Sequence, residues 1–225
     1  MNLAKEGKQQ GWWQQYELPY ATYIGLEADA VSIKDFDSAV VPGLLQTAAY
    51  ARAIHKAVVP ELSPEIIDQR IEERVRRQND PGVNQLERFH VVLDEAVLHR
   101  VIGGRQVMYE QLEVLAAKAK NMGLTVQVIP YNVGAHPALD STFNILDFRP
   151  PVPSVVYVEG LVGQVYLERP EEIARYRKIF ERLCDIALAP KESLELIAKI
   201  SHDYKSALVI SSHSGISGYS RHLRI

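Results

Sequence analysis

The feature of this chain that most constrains its fold is a change of sequence pattern at Phe89. Before that residue the apolar positions follow helical spacing, and the segment 63–78 has a clear helix start, because Ser63 suits the N-cap and Pro64 the first turn. After it, strand-like and helical segments follow in the order β-α-β-β-β-β-α-α. We therefore expect an α+β (mixed α/β) fold, with a helical N-terminal part packed on a roughly five-stranded sheet and C-terminal helices.

The five strands are predicted at FHVVLDEAVL, LTVQVIPY, STFNILDF, SVVYVEG and GQVYLER, and the last two are typical of a hairpin. One earlier segment is less regular. Residues 31–37 alternate, with Ile33, Asp35 and Asp37 on one face, which predicts a short extended segment.

The run GLLQTAAYARAIHKAV at 43–58 is rich in alanine and leucine and predicts one helix. Pro42 and Gly43 turn the chain sharply into it. Gln46 and Tyr50 then lie one turn apart on the same helix face, where they could line a pocket. A row of apolar residues predicts the buried side of the next helix: Ile67, Ile71 and Val75.

Length and composition indicate one globular domain without a global attraction for nucleic acid. The chain has 225 residues, of which 47% are hydrophobic and 24% charged, and a net charge of −3. We expect a linker-like leader at 1–11, a single domain at 12–204 and a mobile Ser/Gly-rich tail at 205–225. A single cysteine excludes an internal disulfide, and no segment has the pattern of a signal peptide or a membrane span. A cytoplasmic protein is expected.

Three places near predicted strand ends carry side chains suited to acid–base or binding roles. Asp94 and Glu95 follow the first of the five strands, where a carboxylate in a cleft can act as a general acid or base. His136 lies in a long loop between two strands, and such loops commonly carry binding groups. Tyr157 and Glu159 share one face of a strand. The alternatives are solvated charges, a hydrogen-bonded histidine and an ordinary cross-strand pair.

Known chemical motifs give little support to a standard enzyme class. The chain has no glycine-rich nucleotide loop, no zinc-protease motif and no serine-hydrolase elbow, so no cofactor is predicted. Its histidines are not paired at helical spacing, so no metal site is predicted. Four arginines in the helix at 63–78 alternate with acids, which indicates a salt-bridged solvent face rather than a nucleic-acid surface: Arg70, Arg74, Arg76 and Arg77.

Several longer stretches resemble a known family. VVPGLLQTAAYARAI (40–54), FHVVLDEAVLHRVIGG (89–104) and VQVIPYNVGAHPALDSTFNILDF (126–148) are similar to the C-terminal domain of actinobacterial Xre-type helix-turn-helix regulators, which are described as antitoxin-like. That domain is catalogued as one of unknown function, and the resemblance extends over roughly residues 11–200. These regulators carry a DNA-binding domain ahead of this region. We expect this chain to lack that domain and to bind no nucleic acid directly.

Two functions follow as hypotheses, and neither involves a membrane. The resemblance implies a stand-alone sensing-type domain that binds a small molecule or a small partner protein in a pocket between the 43–58 helix and the sheet. Its expected ligand-binding residues are Gln46, Tyr50, Glu95, His136, Tyr157 and Glu159. The alternative is a cofactor-independent enzyme of a natural-product pathway, of cyclase, lyase or isomerase type. Its acid–base candidates are Asp94, Glu95, His136 and Glu159. A homodimer, or a heterodimer with full-length relatives, stays open.

Overall fold

The computed structural model describes residues 20–121, 123–160 and 163–214, and within these ranges it contains seven α-helices and one six-stranded mixed sheet. The α+β class predicted from the sequence is therefore confirmed. The helices are α1 (Ala21–Asp29), α2 (Ala48–Val58), α3 (Pro64–Gln78), α4 (Ala96–His99), α5 (Arg105–Asn121), α6 (Pro170–Ile186) and α7 (Pro190–Ser214). The strands are β1 (Ser32–Asp37), β2 (Arg88–Asp94), β3 (Leu124–Ile129), β4 (Phe143–Asp147), β5 (Val155–Gly160) and β6 (Gly163–Leu167).

The sheet joins a parallel half to an antiparallel half through β1. Its strand order is β3-β2-β1-β4-β5-β6. β1 pairs in parallel with β2, and β2 with β3, whereas the β1–β4, β4–β5 and β5–β6 pairs are antiparallel. The predicted β5–β6 hairpin is confirmed. The strand beyond the expected five is β1, which the sequence predicted only as a short extended segment because its two aspartates disfavour a strand.

The strand directions bring several of the loops that connect the strands to one end of the sheet. β1, β2, β3 and β5 all finish at the edge where β4 and β6 begin. This end is termed the carboxyl edge. The loops that follow β1, β2 and β3 meet there, so the Asp94–Glu95 pair and the His136 loop come to the same edge.

Helices pack on both faces of the sheet. On one face, termed the α6 face, Phe180 of α6 packs with Phe36 and Val156. On the other, termed the α1 face, α5 and α7 cover β2 and β3, whereas α1 covers β1, β4 and β5 through Tyr23 and Leu26. Each large apolar side chain buried in these clusters stabilises the fold by about 1.5–3 kcal/mol relative to exposure.

The run at 43–58 is not one helix. Gly43–Leu45 forms a short 3-10 turn, Gln46 is extended with φ −73° and ψ 142°, and α2 begins only after Thr47. The cause is a competing N-cap, since the Thr47 hydroxyl accepts a hydrogen bond from the Tyr50 N–H at 3.2 Å. Gln46 therefore precedes the helix, and the predicted pairing of Gln46 and Tyr50 on one helix face is wrong.

α3 begins at its predicted start, with Ser63 as N-cap, but it buries a different side. The two isoleucines of the predicted apolar row are buried, whereas Val75 is 44% exposed. Glu73 and Arg77 are buried instead. Because Arg77 pairs with Glu27 of α1, the arginine-rich side of α3 is partly internal and not the solvent face that the sequence predicted.

The C-terminal helix is longer than expected. α7 extends to Ser214, so residues 205–214 are helical where a mobile tail was predicted. Residues 1–19, which include the predicted leader and the first eight positions of the predicted domain, lie outside the described residues, as does the tail at 215–225. In the part of the chain that is described, no helix combines the length and apolarity that crossing a membrane requires.

Candidate functional site

A group of polar side chains lies on the α1 face at the carboxyl edge. The strand register places Asp35 beside Asn144, and Asn144 beside Tyr157, in three adjacent strands. Because strand side chains alternate, Asp37 and Glu159, each two residues further along its strand, point to the same face. Asp35, Asp37, Tyr157 and Glu159 are termed the acidic–tyrosine site.

Burial perturbs both aspartates of this site. Asp35 is only 6% exposed. Its burial, followed by the nearby Glu27 carboxylate, raises the pKa of Asp35 to about 7, whereas Arg77 acts in the opposite direction. Burial, then Asp35 and Glu159, raise the pKa of Asp37 well above its usual range. Both carboxyls therefore retain protons more readily than an exposed aspartate, and a nearby positive charge would make them release these protons.

The Tyr157 side chain is buried among other tyrosines, but its hydroxyl finds no hydrogen-bond partner among the described residues. Its ring centroid lies 4.3 Å from that of Tyr23 and 5.3 Å from that of Tyr166. Burial, then the Glu159 carboxylate, raise the pKa of Tyr157 far above its usual range. The hydroxyl is thus protonated and close to Glu159, without the geometry of a hydrogen bond. Leaving such a buried group unsatisfied costs about 1–3 kcal/mol.

A buried ion pair flanks the acidic–tyrosine site. Arg77 donates to both carboxylate oxygens of Glu27, with Nη2 2.8 Å from Oε2, and the two side chains are 7% and 1% exposed. The guanidinium carbon also lies 5.3 Å from the centroid of the Tyr23 ring. Elsewhere in the described chain, no lysine or arginine forms an ion pair with the three carboxylates of the site. Within the described part of the chain, these carboxylates therefore have no ion-pair partner of their own.

His136 and Asp94 meet on the opposite face of the sheet. The His136 imidazole is completely buried, and its Nε2 lies 3.4 Å from Oδ2 of Asp94, within ion-pair distance but without hydrogen-bond geometry. Its Nδ1 accepts a hydrogen bond from the Ala138 N–H at 3.4 Å, so the proton of the neutral ring belongs on Nε2. The Phe36 ring packs edge-on at 5.5 Å. The other oxygen of Asp94 accepts from the Ala96 N–H and holds the start of α4.

Glu95 connects two loops of the carboxyl edge. One carboxylate oxygen lies 3.1 Å from Nε2 of His99, one helical turn later. The other accepts a hydrogen bond from the Tyr131 N–H at 2.7 Å. Since Tyr131 begins the loop after β3, Glu95 fixes the end of β2 and α4 to that loop.

Gln46 and Tyr50 hold the loop that follows β1. The Gln46 amide donates to the Val41 carbonyl at 2.6 Å and accepts from the Arg74 guanidinium at 2.6 Å. The Tyr50 hydroxyl accepts from the Val41 N–H at 3.2 Å. Burial raises the pKa of Tyr50 to about 12, and Asp37 adds to this rise. The Tyr50 ring is itself fully buried in the core between α2 and the sheet, where the sequence predicted a pocket.

The structure therefore distributes the residues predicted from the sequence over separate places. Tyr157 and Glu159 lie together on the α1 face, and His136 and Asp94 lie together on the α6 face. Glu95 bridges two loops, and Gln46 and Tyr50 support a third. No single space brings all of these described side chains together.

Two depressions in the surface are lined by other residues. A groove of about 470 Å³ lies at the other end of β1, lined by apolar groups that include Leu26, Val31 and Phe148. A smaller space of about 60 Å³ lies between the turn at 43–45 and α5, near Gln78 and Lys118. Neither is lined by a residue that the sequence predicted for binding.

Asp35 and Asp37 are the site residues that the sequence reasoning missed. Their alternation placed them correctly on one strand face, but no chemistry was assigned to them. The sequence did contain a signal, because both aspartates share a strand face with the apolar Ile33. An apolar residue indicates that this face is buried, and buried carboxylates are unusual. Over the described residues, no group of three or more His, Cys, Asp or Glu side chains is arranged to hold a metal ion.

The fold and site together define an α+β domain with a polar, incompletely paired site at the end of its central strand. The chain belongs to the family described as Domain of unknown function (DUF5753), whose model matches residues 20–199. No curated protein and no solved structure matches the chain.

Proposed function

We propose that this chain is a sensing-type domain, of the kind found in the actinobacterial Xre-type regulators that its sequence resembles, acting in the cytoplasm. Its ligand is a small molecule that binds at the acidic–tyrosine site. The observation that carries the proposal is the buried Tyr157 hydroxyl, which lacks a partner among the described residues and lies beside Glu159. Buried polar groups without partners are concentrated at functional sites, where a ligand completes them.

The carboxylates of the same site support this role. Asp35, which is buried, and Asp37, which is half-buried, have raised pKa values because of desolvation first and of nearby acids second. Such perturbed groups occur preferentially at functional sites. An asparagine or an apolar residue at these positions would avoid the free-energy cost of burying a carboxyl group. Proteins retain such destabilising groups chiefly where activity needs them.

The position of the site supports the proposal as well. It lies where the parallel and antiparallel halves of the sheet meet, at the ends of β1 and β5. Ligands of open sheets with helices on both faces commonly bind at the carboxyl ends of strands, where the strand order changes direction. The loop after β1, held by Gln46 and Tyr50, adjoins this end.

A fragment screen tests the proposal. A library with equal numbers of cationic, neutral and anionic compounds is added to the purified chain, and amide chemical shifts are followed by NMR. We expect hits to shift the amides of β1 and β5 near Asp37 and Glu159. The same hits should bind more weakly to the variants Tyr157→Phe and Glu159→Gln. Arg149→Ala, in the groove at the other end of β1, is the matched control and should leave binding unchanged. Hits confined to that groove or to the α6 face would contradict the assignment.

The pairing of His136 with Asp94 favours the enzyme as a second candidate. A buried imidazole whose Nε2 lies 3.4 Å from a carboxylate, without a hydrogen bond between them, could exchange a proton with a substrate that enters beside both groups. The reaction would be a cofactor-independent cyclisation, elimination or isomerisation. Incubation with intermediates of an adjacent biosynthetic cluster tests it: turnover by the wild type that His136→Gln abolishes, at unchanged thermal stability, supports catalysis. Equal turnover by this variant would contradict a role for the pair.

A further inference from the structure

We propose that the ligand of the acidic–tyrosine site is a small organic cation, an amine or a guanidinium compound, seated against Asp37, Glu159 and the hydroxyl of Tyr157. This inference rests on the proposed function, because it names the chemical class of the ligand for that site. It is carried by two independent features of the described residues, the uncompensated carboxylates and the unpartnered buried hydroxyl.

Charge is the first argument. Three carboxyl groups meet at the end of the α1 face, whereas the Arg77 guanidinium, which acts on Asp35, already donates twice to Glu27. Opposite charge stabilises carboxylates that lie close together, and like charge destabilises them. A ligand with positive charge therefore gains free energy at this place, and an anionic ligand loses it.

The second argument comes from the way the protein holds a cation of its own. Next to the site, the Arg77 guanidinium is bound by a carboxylate and by the face of Tyr23, at 5.3 Å from the ring centroid. The acidic–tyrosine site offers a related set of groups, since the Tyr157 hydroxyl lies beside Glu159, although the Tyr157 ring itself packs against Tyr23 and Tyr166. Carboxylates next to aromatic rings are a recurrent receptor for ammonium and guanidinium groups.

The Tyr157 hydroxyl adds a specific contact. A phenol oxygen accepts hydrogen bonds as well as donating them, so it can accept an N–H of the ligand and donate to a carboxylate. A cation with N–H groups would satisfy the hydroxyl in this way. This predicts that amines with N–H donors bind more tightly than quaternary ammonium compounds of similar size.

The test uses defined probes with the full chain. Agmatine, putrescine and choline are titrated and followed by amide chemical shifts, together with the uncharged analogue of choline in which carbon replaces nitrogen. Magnesium chloride is a further titration. We expect agmatine or putrescine to shift the amides of β1 and β5, and the uncharged analogue to bind at least about 10-fold more weakly than choline. Glu159→Gln, which alters an exposed residue, should lower the affinity for the cations by about 10-fold or more. The exposed Asp203→Asn on α7 is the matched control.

Isothermal titration calorimetry provides an independent readout. Because a bound cation favours the ionised carboxylates, binding near neutral pH should release protons, and the observed heat should depend on the ionisation enthalpy of the buffer. Equal binding of choline and its uncharged analogue overturns the cationic class. So does binding of magnesium alone, or an absence of binding by every cation. If neutral or anionic fragments still bind at this site in the library screen, the proposed binding function survives while the ligand class fails.

Discussion

Replacing Asp35 by asparagine should stabilise the protein at neutral and alkaline pH. Asp35 is buried in the sheet with a pKa raised from 3.8 to about 7, chiefly by burial and then by Glu27. In the unfolded chain the carboxyl ionises near its ordinary pKa, so between these two values the folded state holds a proton that the unfolded state has released. The stability of the wild type is therefore highest below the lower pKa and falls as the pH rises through the upper one.

The size of this effect follows from the two pKa values. The difference of about three pH units corresponds to up to about 4 kcal/mol, at about 1.4 kcal/mol for each unit. An asparagine side chain does not titrate, so the gap between Asp35→Asn and the wild type should open by this amount between about pH 4 and pH 8. Asn144 lowers the pKa of Asp35, and this contribution is already contained in the difference between the two pKa values.

Urea unfolding followed by circular dichroism across this pH range measures the gap. Two further variants serve as controls. Asp203→Asn removes an exposed charge and should follow the wild-type curve. Asp147→Asn should show the opposite sign, because hydrogen bonds from Arg177, Ser154 and Lys34 outweigh the effect of burial and lower the pKa of Asp147. Parallel pH curves for the wild type and Asp35→Asn would refute the assignment of a buried, proton-retaining carboxyl.

The ion pair and the hydroxyl groups give further predictions. Glu27→Gln should reduce the free energy of unfolding by about 3–5 kcal/mol because it leaves Arg77 buried and unpaired, and adding Arg77→Met should recover part of this loss in urea unfolding. A double variant no more stable than the single one would contradict this. Tyr50→Phe removes the acceptor of the Val41 N–H and should cost about 1–3 kcal/mol, with faster amide exchange at Val41. Tyr157→Phe should leave the melting temperature unchanged or raise it, since no described residue bonds its hydroxyl; a clear decrease would show a bond that matters.

Much of the fold could be predicted because its signals are local. The start of α3 follows from Ser63 and Pro64, and the strands after Phe89 follow from short apolar runs or from alternation. The failures occurred where a nearby side chain decided between two local structures. The Thr47 hydroxyl accepts a hydrogen bond from the Tyr50 N–H, so α2 begins after Thr47 and not at Gly43. Gln46 therefore lies outside the helix, and its side chain bonds to the loop after β1.

The site was harder to predict because it depends on strand register between distant parts of the chain. Tyr157 and Glu159 were correctly placed on one face, but nothing in their segment shows that β4 lies between them and β1. The same applies to His136, which approaches Asp94 only because β2 and β3 are parallel neighbours. Sequence periodicity shows which residues of one strand share a face. To know which residues of different strands share a face, the order and register of the strands are also needed.

The electrostatic links of the acidic–tyrosine site extend to α1, and this connects binding with the packing of the N-terminal helix. Glu27 raises the pKa of Asp35 and Arg77 lowers it, so the ion pair between α1 and α3 and the charge of the site affect each other. Tyr23 of α1 contacts both the Tyr157 ring and the Arg77 guanidinium. A cation that ionises the site would leave negative charge on Asp35, which repels Glu27 and attracts Arg77, and it would thereby change the free energy with which α1 is held on the sheet. Coupling of this kind needs only contacts that the fold already contains, and under the proposed function it would connect a bound ligand directly with the first described helix.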